Sequence, residues 1–439
     1  MSTDTNPQKQ QSTVDTASSG GRLRFPDLPG PARVLIIGGL LFALGRGTYL
    51  TASVVFFTQT YSMSIGQVGL ALSVAGVAAI LASVPAGWLA DRHHPRHVAV
   101  VLLCCQAGVV AALPFAGSAM SLFGLIVLLG AVDRSTLVVR RALVSHVMGM
   151  ESRVRIQAYL RSVANVAMSV GTLAAAPVLT LGSRSAFTVL CFGVTACYVL
   201  TAVATLRLPS TSKLLAPDGS DPKEDAGAPA SAPAFRRITG YVSLGLLNGL
   251  LSLHGSILNV ALPLWIIGHV DAPRWMIAAL IFVNTVLAVA FQVLASRGAD
   301  DTRGAGRALA VSAVFTALCC LLLAASARLD GFWVFGVLTL AVVALTAGEL
   351  LQAAGEWGLS FTLAPIRAQG RYIGAFSYGT ALQEGFGPIM VVSVAFFAID
   401  SGPLPLGWLI LAGILLGGGL LVAPLRRLAE SGLCTEGIA

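Results

Sequence analysis

Charge is what this sequence has least of. Asp, Glu, Lys and Arg make up 11% of its 439 residues, where a soluble domain carries roughly 25%. With 56% of the residues hydrophobic, any set of soluble cores would need charged shells that the chain does not contain. A soluble globular protein is thereby excluded, and the composition is that of an integral membrane protein. Reaction signatures are missing as well. There is no GxSxG, no HExxH and no GxxxxGK[ST], so no catalytic residues and no cofactor are expected, and the chain is not an ATP-driven pump by itself. Its energy source should be an ion gradient or the substrate's own gradient. The seven cysteines form no CxxC, and six of them lie in apolar runs. They read as small apolar fillers, not as disulfides or metal ligands. The run HHPRH (93–97) has no acid or cysteine cluster beside it, so no metal site is expected. Residues 1–32 lack the apolar stretch of a cleavable signal peptide and read as a disordered cytoplasmic tail.

What the chain does have is long apolar runs. A bilayer-spanning helix needs about 20 mainly apolar residues. That ruler predicts spans over 33–58, 66–90, 97–115, 119–141, 156–179, 185–206, 238–267, 274–296, 306–326, 332–356, 370–398 and 404–425. The arginines cluster in alternate loops: before the first span and after the second, fourth, sixth, eighth, tenth and twelfth. The opposite loops hold only Arg184, Arg274 and Arg328. By the positive-inside rule both ends are cytoplasmic, in the cell membrane, and the number of spans is even. The formal net charge of +8 therefore points to anionic lipid and not to nucleic acid. Residues 207–237, rich in Pro, Ala, Ser and Asp, read as a cytoplasmic linker. It separates a six-helix bundle over 33–206 from a second over 238–428, followed by a cytoplasmic tail over 429–439. A shift of 216 positions superposes Asp133 on Glu349, Arg155 on Arg371 and Gly171 on Gly387, which fits two related halves.

Polarity gathers in one loop, GWLADRHHPRHV (87–98), between the second and third spans. The chain resembles the major facilitator superfamily, whose signature in this loop is Gly-x-x-x-Asp-Arg-x-Gly-x-Arg-Arg. Gly87, Asp91, Arg92 and Arg96 stand in register with it, while His94 replaces the second glycine and His97 the last base. The resemblance implies an all-α fold of twelve transmembrane helices in two pseudo-symmetric six-helix bundles. It also implies that this loop is a conformational latch closing when the central cavity faces outward. Gly87 permits close helix contact, and Asp91 can accept backbone N–H bonds at a neighbouring helix start or pair with an arginine. Within the superfamily, Arg46 in the first helix and the latch are similar to the multidrug-type proton antiporters. Of the glycine-rich run that those antiporters carry in the fifth helix, SVGTLAAAP keeps only Gly171 and Pro177.

Ionisable groups inside the spans are costly, about 2.5–3.5 kcal/mol each at mid-bilayer on insertion scales. Arg46, Asp133, Arg134, Glu349 and Glu384 are therefore candidate proton-coupling residues, with Asp133 opposite Arg46 as one arrangement. Glu384 has no base near it in sequence and is expected to be a lone carboxyl. Glu356, nearer the surface, is expected to be solvated. Tyr49, His254, Asn259, Gln352 and Gln383 are candidates for the substrate cavity, and Trp265 for an interface anchor. The expected function is proton-coupled export of a hydrophobic or amphipathic small molecule, as in multidrug efflux, by a monomeric secondary transporter. The alternative is a symporter or uniporter importing a sugar, nucleoside or other small metabolite.

Overall fold

The structure, a computed structural model, describes residues 30–61, 63–148, 150–208, 235–270, 272–273, 275–329, 331–365, 368–396 and 405–430. The first helix begins inside the tail expected over 1–32, and the last ends inside the tail expected over 429–439. The rest of both tails and most of the 207–237 linker lie outside the described residues.

Among the described residues the chain is a succession of long helices. In the first half these are α1 (Gly30–Tyr61), α2 (Ile65–Arg92), α3 (Pro95–Ala112), α4 (Ala119–Val147), α5 (Met150–Leu181) and α6 (Arg184–Leu206). In the second half α7 starts at Phe235–Leu251 and continues through His254–Ser256, a π turn at Ile257–Ala261, and Leu262–His269. It is followed by α8 (Trp275–Ala295), α9 (Thr302–Ser326), α10 (Phe332–Thr362), α11 (Gln369–Ala395) and α12 (Leu406–Glu430).

Short polar residues in the loops start several of these helices. The Ser64 hydroxyl accepts from Gln67 N at the head of α2 while the Gln67 side chain accepts from Ser64 N. Ser118 and Ser121 form the same reciprocal pair ahead of α4, and Ser183 caps α6. Each satisfies backbone donors that the first helical turn leaves without partners. Asp301, in the second half's counterpart of the latch loop, is spent in the same way, accepting from Gly304 N at 2.8 Å.

Several helices run past the spans read from hydropathy. α4 extends six residues beyond 141, to Val147, and α10 six beyond 356, to Thr362, so Arg140, Arg141 and Glu356 lie well inside helices and not at their ends. Among the described residues eleven helices are long and apolar enough to cross a membrane, and α11 is not one of them. Its 27 residues are long enough. Its polar side chains, Thr380, Gln383 and Glu384 among them, are used against other helices.

The two halves repeat their packing. In the first half α1 packs on α5 and α6, α2 on α4, and α3 on α6; in the second α7 packs on α11 and α12, α8 on α10, and α9 on α12. Gly171 of α5 abuts the Leu44–Thr48 backbone of α1, and Gly387 of α11 abuts Ser256 of α7, so the glycines matched by the 216-residue shift hold matched crossings. Apolar side chains such as Leu81, Leu173, Val189, Phe282 and Leu420 point outward, the expected surface for lipid.

The bundles meet along α2–α11 and α5–α8, with α4 crossing to α11. One buried apolar cluster runs through the second bundle and into the first at the end where α1 begins and α12 finishes. A second, separate cluster fills the opposite half of the first bundle alone. The halves are thus pinned together at the end bearing the termini. Trp265, expected at a lipid interface, is instead fully buried, its Nε1 donating to Ser326 Oγ at 3.0 Å.

Candidate functional site

The residues expected to form the latch divide into two groups. A Cβ on Gly87 would collide with the carbonyl of Gly370, and a Cβ on Gly370 with the carbonyl of Gly87. The α2–α11 crossing is therefore closed backbone to backbone, which only glycine allows. One turn further on, Asp91 accepts from Gly370 N at 2.6 Å and from Arg371 N at 2.8 Å. These are the free N–H groups of the first turn of α11, where a negative charge is favoured. The Arg371 side chain adds an ion pair at 3.5 Å. Arg92 and Arg96 do not join this contact. Arg92 lies over the Trp88 ring of its own helix, and Arg96 donates to Leu208 O at 2.7 Å, tying α3 to the end of α6 inside the first bundle.

Deeper in, three arginines of the first bundle each reach a carboxylate of the second. Arg134 of α4 donates to Glu384 of α11 at 3.2 and 3.3 Å, and also to Ser377 O and Thr380 Oγ1, both at 2.8 Å. Arg161 of α5 donates to Glu349 of α10 at 2.6 Å, whose other oxygen accepts from Asn284 of α8 at 2.9 Å. Arg141 of α4 donates to Glu356 of α10 at 2.6 Å. Gln352 bridges Glu356 and Asn248 of α7 at 3.2 and 2.8 Å. Within the first bundle Arg46 pairs with Asp133 at 3.2 Å, and Gln106 donates to the other Asp133 oxygen at 2.9 Å. Multiple partners per ion are what a buried pair requires if its desolvation is to be offset.

Two expectations are corrected here. Glu384 is not a lone carboxyl, because Arg134 reaches it from the other bundle; its own side chain remains 60% exposed. Glu356 is not solvated but buried and paired. Arg140, Arg141 and Arg161 were not singled out in the sequence. The signal was helical spacing: Arg134 and Arg141 are seven apart on α4. Glu349, Gln352 and Glu356 stand at i, i+3 and i+7 on α10, as do Ser377, Thr380 and Glu384 on α11. Each set lies on one face.

A cavity of about 280 Å³ lies beside the ladder, between α1, α4 and α5, with Trp357 of α10 at its edge. Arg46, Arg140, Arg141 and Arg161 line it, with Gln157 and apolar groups such as Phe42, Leu143 and Val144. None of the residues expected in the substrate cavity is part of this wall. Tyr49 packs against the core of the first bundle. Asn259 donates back to Gly255 O of its own helix. Gln383 donates to Ser256 Oγ at 2.9 Å, joining α11 to α7, and Gln352 belongs to the ladder. His254, beside the break in α7, is buried with Nδ1 unpartnered. No cluster of His, Cys, Asp and Glu suited to a metal occurs among the described residues.

Two bundles of membrane-length helices, joined at one end by ion pairs that cross between them, define a polytopic membrane-protein fold. The chain belongs to the Major Facilitator Superfamily, whose family model matches residues 35–388. No curated protein sequence matches it. Among solved structures it is similar to the human organic anion transporter MFSD10 (TETRAN), at 16% identity and a TM-score of 0.66 over 90% of this chain and 100% of that one. It is also similar to the superfamily transporter FucP in its outward conformation, at 15% identity and 0.65 over 90% and 98%. A bacterial homologue of the iron transporter ferroportin, in an outward-facing state, matches at 14% identity and 0.64 over 91% and 99%.

Proposed function

We propose that this protein is a proton-coupled exporter of amphipathic small molecules, with both termini in the cytoplasm. The observation that carries the reading is the ladder itself: Arg134–Glu384, Arg141–Glu356 and Arg161–Glu349 all join one bundle to the other. A carboxylate holds its arginine only while ionised. Protonation converts it to a neutral acid, and the cross-bundle attraction at that rung is lost. Glu384 is the rung most open to the cleft, so it is the entry point for a proton arriving from the side away from the termini. Loading the ladder from that side loosens the closure at the termini, the proton leaves on the cytoplasmic face, and the cycle moves protons inward. Cargo taken up in the opened half leaves outward when the ladder re-forms, which is antiport.

The cavity wall supports the cargo class. Phe42, Leu143, Val144 and Trp357 offer apolar surface. Arg140 stacks on Phe42, with its guanidinium carbon 4.8 Å from the ring centroid. Among the described residues no carboxylate pairs with it, so an acidic group on the cargo suits this wall better than a cationic one. The test uses everted vesicles with an imposed pH gradient and a panel of amphipathic acids, bases and neutral compounds. Substrate-dependent proton movement is expected, and it should be abolished in Glu384→Gln and Glu349→Gln. Full coupled transport in both variants removes these acids from the mechanism. Import of a polar metabolite is the second reading, favoured by the hydrogen-bonding pair Gln383 and Ser256 between α11 and α7. Proton-driven accumulation in whole cells distinguishes it.

A further inference from the structure

On the outside of the second bundle, at the end bearing the termini, α9 and α12 enclose a shallow pocket of about 460 Å³. It is lined by Arg303, Arg307, Arg426, Arg427, Glu430 and the small residues Gly306, Ala310 and Ala423. The transport ladder uses none of these residues. Four cations face one acid, and that acid is already engaged: Glu430 accepts from Arg426 at 2.7 Å and from Thr302 at 2.5 Å. Arg303, Arg307 and Arg427 are exposed, and no ion pair joins them to an acid among the described residues. Gly306 makes the convergence possible, since a Cβ there would sit 2.9 Å from Arg426 Cδ.

Positive charge at this end is expected for topology alone, but topology needs only charge in the loops. Here arginines from two helices far apart in sequence converge on one pocket. Towards the middle of the same helices the exposed side chains become apolar: Val311 and Val314 on α9, Leu420 and Leu421 on α12. A ligand that fills this surface carries phosphate-like charge at the helix ends and hydrocarbon along the helices. Guanidinium groups bind phosphate oxygens in paired, charge-assisted hydrogen bonds, and basic pockets between helix ends favour anionic headgroups.

We propose that the α9–α12 pocket is a binding site for an anionic phospholipid, its phosphate held by Arg303, Arg307 and Arg427 and its acyl chains laid along the apolar faces below. Three unpaired arginines match a lipid with two phosphates better than one with a single phosphate. The test is native mass spectrometry of the full chain in detergent with equimolar cardiolipin, phosphatidylglycerol and phosphatidylcholine. Cardiolipin adducts should be retained most and phosphatidylcholine least. Arg303→Gln/Arg307→Gln/Arg427→Gln should lower cardiolipin occupancy about tenfold, and Arg307→Gln alone severalfold. Arg155→Gln, an exposed arginine of the first bundle at the same end, should leave occupancy unchanged. Equal retention of the three lipids overturns the proposal, and so does a triple variant that binds like the parent. An Arg155→Gln loss as large as the triple variant's also overturns it, because the effect is then one of net charge. Displacement of the lipid by millimolar inorganic phosphate overturns the lipid assignment in favour of a free-phosphate site.

Discussion

Asp91 illustrates how much a single side chain can carry in this fold. Its two oxygens hold the first N–H groups of α11, and a hydrogen bond to a charged group is worth about 1.5–3 kcal/mol. Asp91→Asn keeps the shape but turns one acceptor into a donor facing a donor. The closed form should lose at least tenfold in population relative to the open form. The measurement is the distance between spin labels at 155 and 297, both exposed at the end bearing the termini, in a cysteine-free background. Glu356→Gln should act in the same direction by a different route. It leaves Arg141 facing a neutral amide, and breaking a buried pair costs about 3–5 kcal/mol. Adding Arg141→Gln removes the orphaned charge and should recover much of the closed population. A double variant no better than Glu356→Gln would mean that the pair contributes no coupling across the interface. The motif around Asp91 was legible because its spacing survives in the sequence. The partner of Glu384 was not, since Arg134 lies 250 positions away and no local pattern relates them.

At the scale of the helix, α11 is the element that hydropathy describes least well. Its length suits a span, but its composition falls short of the other eleven, because one face is given over to Arg134, Asp91 and α7. It depends on its neighbours to satisfy that face. A reporter measuring insertion of isolated segments should therefore accept 275–295 readily and 369–395 poorly, and Glu384→Leu should improve the latter. Equal insertion of both parent segments would show that the polar face imposes no cost in lipid. Hydropathy sets the ends of α4 and α10 six residues short for a related reason. Arg140, Arg141 and Glu356 look like span ends by polarity, yet each is held inside a helix by a partner that neutralises it or stacks on it.

At the scale of the whole molecule, closure at one end predicts opening at the other. The contacts between bundles run from Gly87 and Gly374 near the termini up to Glu384 near the middle, while α1 and α7 make no extensive pairing. Labels at 181 and 275, exposed at the far ends of α5 and α8, should start apart and approach as the 155–297 pair separates. Acidification or cargo should move the two distances in opposite senses. Both distances changing together, or neither, would contradict rocking about a shared centre.

The sequence by itself determined the membrane as solvent, the number and order of the helices, the doubling of the fold and the glycine–acid spacing that meets the start of α11. Those follow from local quantities: hydropathy over a bilayer's thickness, the placement of arginines in loops, and short-range spacing. The tertiary structure alone decided which charges pair across the two bundles, which end is shut and where the arginine-lined cavity lies. A buried ion is tolerated according to what stands opposite it in space, and in this fold the opposite group comes from the other half of the chain.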